Sequence, residues 1–237
     1  MILCINTATT LCSVAIGRAG EQPMGVEEIA DPHAHSTSLA PMVERLMTQC
    51  GVSTNQLSAV AVNKGPGSYT GLRIGVSMAK GLCYALSKPL IAIGSLEAMA
   101  QGVLQQRGSL WQPTNQPTLL CPMIDARRME IYTALYDEQL HPVLDVEAKV
   151  IDQGAFGEWL SAHRILFFGD GANKCRSAID HPNATFIDGI EPSAAYMLPL
   201  AHNALQQGKT EDVAYFEPFY LKDFVAIKGK NKVLSGI

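Results

Sequence analysis

The chain has 237 residues, 47% hydrophobic and 17% charged, a balance that supports a packed core and excludes a disordered chain or a disulfide-dependent miniprotein. Its 18 basic side chains are outweighed by 22 acidic ones, net −4, which excludes a broad cationic face for nucleic acid. The length fits one large domain or two small ones. The first residues lack a positive n-region, and no apolar run approaches the roughly eighteen residues of a membrane span, so none is expected. Six cysteines lie far apart without a C-x-x-C pair, as in a reduced, cytoplasmic protein without a cysteine zinc site.

Residues 2–5 form a short apolar run, and residues 12–17 alternate with Val14 and Ile16 on one face. A turn at 20–23 leads to a weaker strand at 24–30, which together predict an antiparallel meander. A helix follows, capped at Ser36 or Ser38 with Pro41 in its first turn. Leu39, Met42, Val43, Leu46, Met47 and Cys50 recur at helical steps before Gly51 ends it. Residues 57–62 are a strand, the loop 64–71 is glycine-rich, and a helix runs from about 70 to 86. A strand at 89–93 and a helix at 95–104 complete the order β-β-β-α-β-α-β-α. That order is the layout of a ribonuclease-H-like α/β domain with a mixed sheet.

Residues 108–117, with Pro113 and Pro117, read as a linker. Strands are predicted beyond it at 118–124, 131–136, 143–150 and 165–168, and helices at 156–162 and 194–207. Two such halves give the duplicated plan of the actin, sugar-kinase and Hsp70 group (ASKHA), with lobes at 1–107 and 118–226. The C-terminal helix is a candidate to return to the first lobe, and 227–237 is expected to be a flexible tail. The two halves share no sequence motif.

The loop Gly65-Pro66-Gly67-Ser68-Tyr69-Thr70-Gly71-Leu72-Arg73-Ile74-Gly75 sits between a strand and a helix, where backbone N–H groups can face an anion. Its spacing is neither G-x-G-x-x-G nor a P-loop, since Leu72 stands where lysine would be. Its glycines serve either an anion or a tight turn and close packing. Thr7, Gly65, Gly67, Ser68, Thr70 and Arg73 are the candidate nucleotide-proximal residues. The full string resembles the signature of the bacterial TsaB (YeaZ) family. Supporting it in order are His35-Ser36, Ile124-Asp125-Ala126-Arg127 with Glu130-Ile131-Tyr132, Gly169-Asp170-Gly171-Ala172 and Tyr220-Leu221.

The resemblance implies a noncatalytic relative of TsaD, acting with it and the ATPase TsaE in threonylcarbamoyladenosine synthesis on tRNA. It implies pairing with TsaD, or with a second copy, through the first two helices. Leu39, Val43, Met47, Ile74 and Met78 are the candidate interface residues, because the second helix is apolar on more than one side. Burial within the same chain is the alternative for that second stripe. No cofactor is expected to bind independently, ATP or ADP in the complex is left open, and tRNA contact runs mainly through the partners. The lysines at 222, 228, 230 and 232 read as a solvated terminus, with contact to tRNA phosphates as the alternative.

TsaD-like proteins carry a His-x-x-x-His pair where this chain has Ser95 and Met99, donors that do not replace two imidazoles. Related ATPases end the first strand on aspartate; here it is Asn6, which lacks the charge to hold hydrated magnesium. His33 and His35 have no evident third ligand. No G-x-S-x-G or H-E-x-x-H occurs, and Asp125, Arg127 and Glu130 read as an ion-paired turn as readily as a catalytic group. The competing function class is an enzyme of the same superfamily, a nucleotide-dependent kinase or ATPase, or a glycoprotease-like metallopeptidase.

Overall fold

Short apolar runs between turns become strands, and the longer periodic stretches become helices, as the computed structural model shows for residues 1–31 and 34–222. Strands β1 (Ile2–Asn6), β2 (Leu11–Gly17), β3 (Gly25–Ala30), β4 (Ala59–Gly65) and β5 (Leu90–Gly94) form one sheet, ordered β3-β2-β1-β4-β5. The β1–β2 and β2–β3 pairs are antiparallel, whereas β1–β4 and β4–β5 are parallel. Strands β6 (Thr118–Asp125), β7 (Glu130–Tyr136), β8 (Pro142–Val150), β9 (Arg164–Phe168) and β10 (Ala184–Ile187) form the second, ordered β10-β9-β6-β7-β8. Read from its other edge, this is the order of the first sheet, with the same antiparallel meander and parallel extension. The chain is an α/β protein of two ribonuclease-H-like units.

The halves also share a backbone feature that their sequences conceal. Gly65 at the end of β4 has φ +112°, and Gly169 just past β9 has φ +105°, values that side-chain-bearing residues rarely adopt. Each glycine starts the turn that closes over the end of its sheet's first strand.

Helices α1 (Ala34–Gln49) and α2 (Tyr69–Leu86) cover one face of the first sheet. Leu39, Met42, Val43, Leu46, Val76 and Ala79 pack there against Leu3, Ile5, Val14 and Ile16. The other face, with Cys4, Ala15, Ala61 and Ile91, is covered by Met197, Leu198 and Ala201 of α5 (Ala194–Gln206). Helix α3 (Ser95–Gln105) instead packs Leu96, Met99 and Val103 onto Leu120, Ile124 and Leu166 of the second sheet. The halves thus exchange helices. At the α3–α5 crossing Gly102 faces the ring of Tyr196, where a Cβ would have no room. Helix α4 (Gly157–Ala162) lies on the outer side of the second sheet.

Three local expectations change. Every residue of β2 is buried, not one alternating face, because α5 covers the side that a lone meander would leave wet. Helix α1 begins at Ala34, so Pro41 lies in its interior, at an exposed position, rather than in its first turn. The four-residue strand β10 has no counterpart among the predicted elements, since only its parallel pairing with β9 makes so short a run a strand. His33 and the tail 227–237 lie outside the described residues.

Candidate functional site

The motif loop is built around close contact with the β1–β2 turn. Thr7 is fully buried and its Oγ1 donates to Gly71 O at 2.7 Å. Ser68 caps α2, its Oγ accepting from Gly71 N at 3.2 Å, while its own N–H donates to Ala8 O at 2.6 Å. Gly65 N–H donates to Asn63 Oδ1 at 2.9 Å. A Cβ on Gly67, Gly71 or Gly75 would run into Ala8 or Thr7. The candidate residues Thr7, Gly65, Gly67 and Ser68 are therefore brought together, but they hold one another. The N–H groups of Gly65, Ser68 and Gly71 are thus satisfied within the chain, and Ala8 lies against Gly67. Of the two readings of the glycines, the geometry matches close packing.

Thr70 and Arg73 stand apart from that knot, exposed on α2. Arg73 Nη1 donates to Tyr69 Oη at 3.0 Å with its guanidinium over the Tyr69 ring. Together with Ser36, Ile74 and Ser77 these residues line an open groove between the starts of α1 and α2.

The positions equivalent to a metal-binding histidine pair are occupied structurally. Ser95 Oγ lies 2.6 Å from both Asn63 Oδ1 and Pro66 O and ties the turn to α3, while Met99 is sealed in the core between α3 and the second sheet. Asn6 is buried, its Oδ1 accepting from Ala8 N and its Nδ2 donating to Pro192 O, which fastens the lead into α5 to the end of β1. This donor set does not fit a divalent metal: one shared hydroxyl, one buried thioether and one amide that is already used.

The candidate interface residues separate into two groups. Leu39 and Val43 are only 3% and 4% exposed, so they are a correction: α1 turns them into its own sheet, and they offer almost no surface to a partner. Met47, Ile74 and Met78 are half-buried along the seam between α1 and α2. Beside them Arg73, Ser77, Gly81, Tyr84 and Ala85 are exposed on α2, with Tyr84 at 85%. Ser77, Gly81 and Ala85 keep this ridge low, so Met78 is reachable despite the neighbouring helix.

Between the lobes lies a cavity of about 410 Å³, lined by Lys64, Pro66, Glu97, Tyr136, Asp145 and Phe219 among others. Burial pushes the Glu97 carboxyl above its ordinary range, while Lys64 pulls it back. None of Glu97, Tyr136 and Asp145 carries a sequence signal, since they come from separate strands and a helix. At the β6–β7 turn Asp125 accepts from Arg127 N at 2.6 Å and pairs with Lys174. Partial burial raises its pKa, but these hydrogen bonds together outweigh that and hold it below the usual carboxylate range. Glu130 pairs with Lys222. The ion-paired reading of Asp125 and Glu130 fits this arrangement.

Comparison with known proteins places this geometry. The family model for TsaD, tRNA N6-adenosine threonylcarbamoyltransferase, matches residues 26–230. The tRNA threonylcarbamoyladenosine biosynthesis protein TsaB of Escherichia coli K12 is 34% identical over 239 aligned residues, covering 96% of each chain. A tRNA N6-adenosine threonylcarbamoyltransferase of Syntrophobacter fumaroxidans is 36% identical, but over 69% of this chain and 48% of its own. The solved structure of YeaZ from Pseudomonas aeruginosa superposes with a TM-score of 0.78 at 26% identity, over 93% of this chain and 99% of that one. Likeness to TsaB proteins along the whole length, within the broader reach of the TsaD model, makes the chain a member of the TsaB (YeaZ) family.

Proposed function

We propose that this protein serves tRNA threonylcarbamoyladenosine biosynthesis as a noncatalytic subunit that docks and orients TsaD and helps present the pair to TsaE. The observation that carries this reading is the ridge of α2, where exposed Tyr84, Gly81 and Ser77 adjoin half-buried Met47, Ile74 and Met78. A surface helix with one face on its sheet normally turns charge outward; apart from Arg73, this one turns outward small, apolar and aromatic groups, as interfaces do. TsaD is the favoured occupant because the chain matches the TsaD model over most of its length, and two copies of one fold can meet through equivalent helices. The structural use of Ser95, Met99 and Asn6 supports placing the chemistry in the partner. A nucleotide then belongs to the assembled complex, and tRNA is met chiefly through it.

The deciding experiment is Met78→Glu. Tagged wild-type protein is expected to retain TsaD in pull-down and, with TsaD and TsaE, to restore modification of tRNA. The variant is expected to fold normally by circular dichroism yet lose at least tenfold in TsaD capture, since a charge would be placed in an apolar contact. Unchanged capture by a folded variant would refute the docking face, and ATP turnover or proteolysis by the isolated wild-type chain would refute the noncatalytic role. Light scattering without TsaD reads whether a second copy takes the same face.

A further inference from the structure

The segment 211–222, after α5, crosses both lobes without regular structure of its own. Its first half is fastened to the first lobe. Glu211 N–H donates to Leu90 O at 2.9 Å, and Val213 and Phe216 pack against the α1–α2 core. Lys80 of α2 donates to Ala214 O at 3.1 Å and Phe216 O at 3.0 Å, so one of the two charged side chains on that helix is spent on this segment.

Beyond Pro218 the second half continues along the first lobe and reaches the other at Lys222. Phe219 N–H donates to Lys64 O at 2.7 Å, and the Phe219 side chain forms part of the cavity wall. This approach needs the bare backbone of Gly65, where a Cβ would strike the Phe219 carbonyl. The Tyr220 ring lies tilted against that of Tyr69, with centroids 4.8 Å apart, and Lys222 pairs with Glu130 while lying 5.8 Å from the Tyr132 ring. Phe219 and Tyr220 remain 43% and 37% exposed, and the Lys222–Glu130 pair lies at the surface. The first half is anchored by half-buried Val213 and Phe216 and by three hydrogen bonds, the second by one backbone hydrogen bond and exposed side chains.

We propose that residues 219–222 are a releasable strap that clasps the second lobe to the first and closes the interlobe cavity. The strap hinges near Pro218 and lifts without unfolding either lobe. This inference does not rest on the docking reading, since it is carried by the contacts of residues 219–222 with Lys64, Gly65, Tyr69 and Glu130.

The test is hydrogen exchange on the full chain, read at Phe219 and over residues 64–66 and 94–97, with β1 and α5 as internal standards. Lys222→Glu sets like charges against each other and is expected to speed exchange at those positions by about threefold to tenfold. Lys222→Glu combined with Glu130→Lys is expected to return it to the wild-type rate. Phe219→Ser, which keeps the backbone hydrogen bond but loses the cavity contact, is expected to speed it as well. Unchanged exchange in Lys222→Glu, failure of the double variant to restore it, or an acceleration that spreads equally to β1 and α5 would each overturn the proposal.

Discussion

Two glycines on α2 are predicted to respond to the same substitution with opposite signs. Replacing Gly71 by alanine places a Cβ closer to the Thr7 carbonyl oxygen than real Cβ atoms stand, and 3.3 Å from both the Thr7 carbonyl carbon and Ser68 Cβ. The obstacle is backbone, so no rotamer change relieves it. The β1–β2 turn must back away from α2, straining the Thr7 Oγ1–Gly71 O and Ser68 N–Ala8 O hydrogen bonds. Overpacking costs about 1–3 kcal/mol and each weakened hydrogen bond up to about 1 kcal/mol, against about 0.5–1 kcal/mol gained in helix propensity. The net expectation for Gly71→Ala is a loss of about 2–3 kcal/mol, or roughly 4–12 °C in Tm for a chain of this size. Gly81 has nothing within 4 Å of its would-be Cβ, so Gly81→Ala should gain about 0.5–1 kcal/mol. Urea unfolding by circular dichroism separates the two, provided the slope is unchanged. If Gly71→Ala unfolds at or above the wild-type midpoint, the glycine is not required by packing, and the close-contact account of the motif fails.

Leu39→Ala is expected to cost about 2–4 kcal/mol in the same assay while leaving TsaD capture per folded molecule unchanged, because Leu39 is a core residue; unaltered stability would return it to the surface. Native protein at pH 8 should react with Ellman's reagent only at half-buried Cys50, with all six thiols free in denaturant. Burial pushes Cys12 and Cys83 to about 11 and Cys4 and Cys121 higher still, so a second thiol reacting readily in native protein would contradict the packing. The Asp125 carboxyl is held below its ordinary 3.8, so its stabilising contribution is complete above that pH and is lost as the pH falls through its lower native value. Asp125→Asn should therefore flatten the acid limb of a urea-midpoint profile, and an unchanged limb would refute the role of Lys174. Asp170, raised chiefly by burial, carries the opposite sign: its ionisation opposes folding, so Asp170→Asn should steepen the acid loss.

Much of the site is legible in the sequence, and the reasons are local. Ser95 and Met99 in place of imidazoles say what the α3 terminus cannot ligate. Leu72, Val76, Ala79 and Cys83 mark the sheet-facing stripe of α2 by spacing alone. Leu39 and Val43 turn out to be core rather than interface, because a stripe shows that a helix has an apolar face, but not how much of that face its own sheet consumes. Phe219, Tyr220 and Lys222 give no sign of their contacts, since each partner is distant in sequence.

The sequence by itself determined the strand and helix types apart from β10, the meander that opens each half and the family signature, because these rest on periodicity, capping and turn chemistry within a few residues. Tertiary structure alone decided that α3 and α5 change places between the sheets and bury β2 on both faces. It also decided that the motif glycines meet Thr7 and Ala8 rather than an open loop. Local propensity chooses the shape of a segment, but which surfaces meet is settled by the apolar area that the whole chain can remove from water at once.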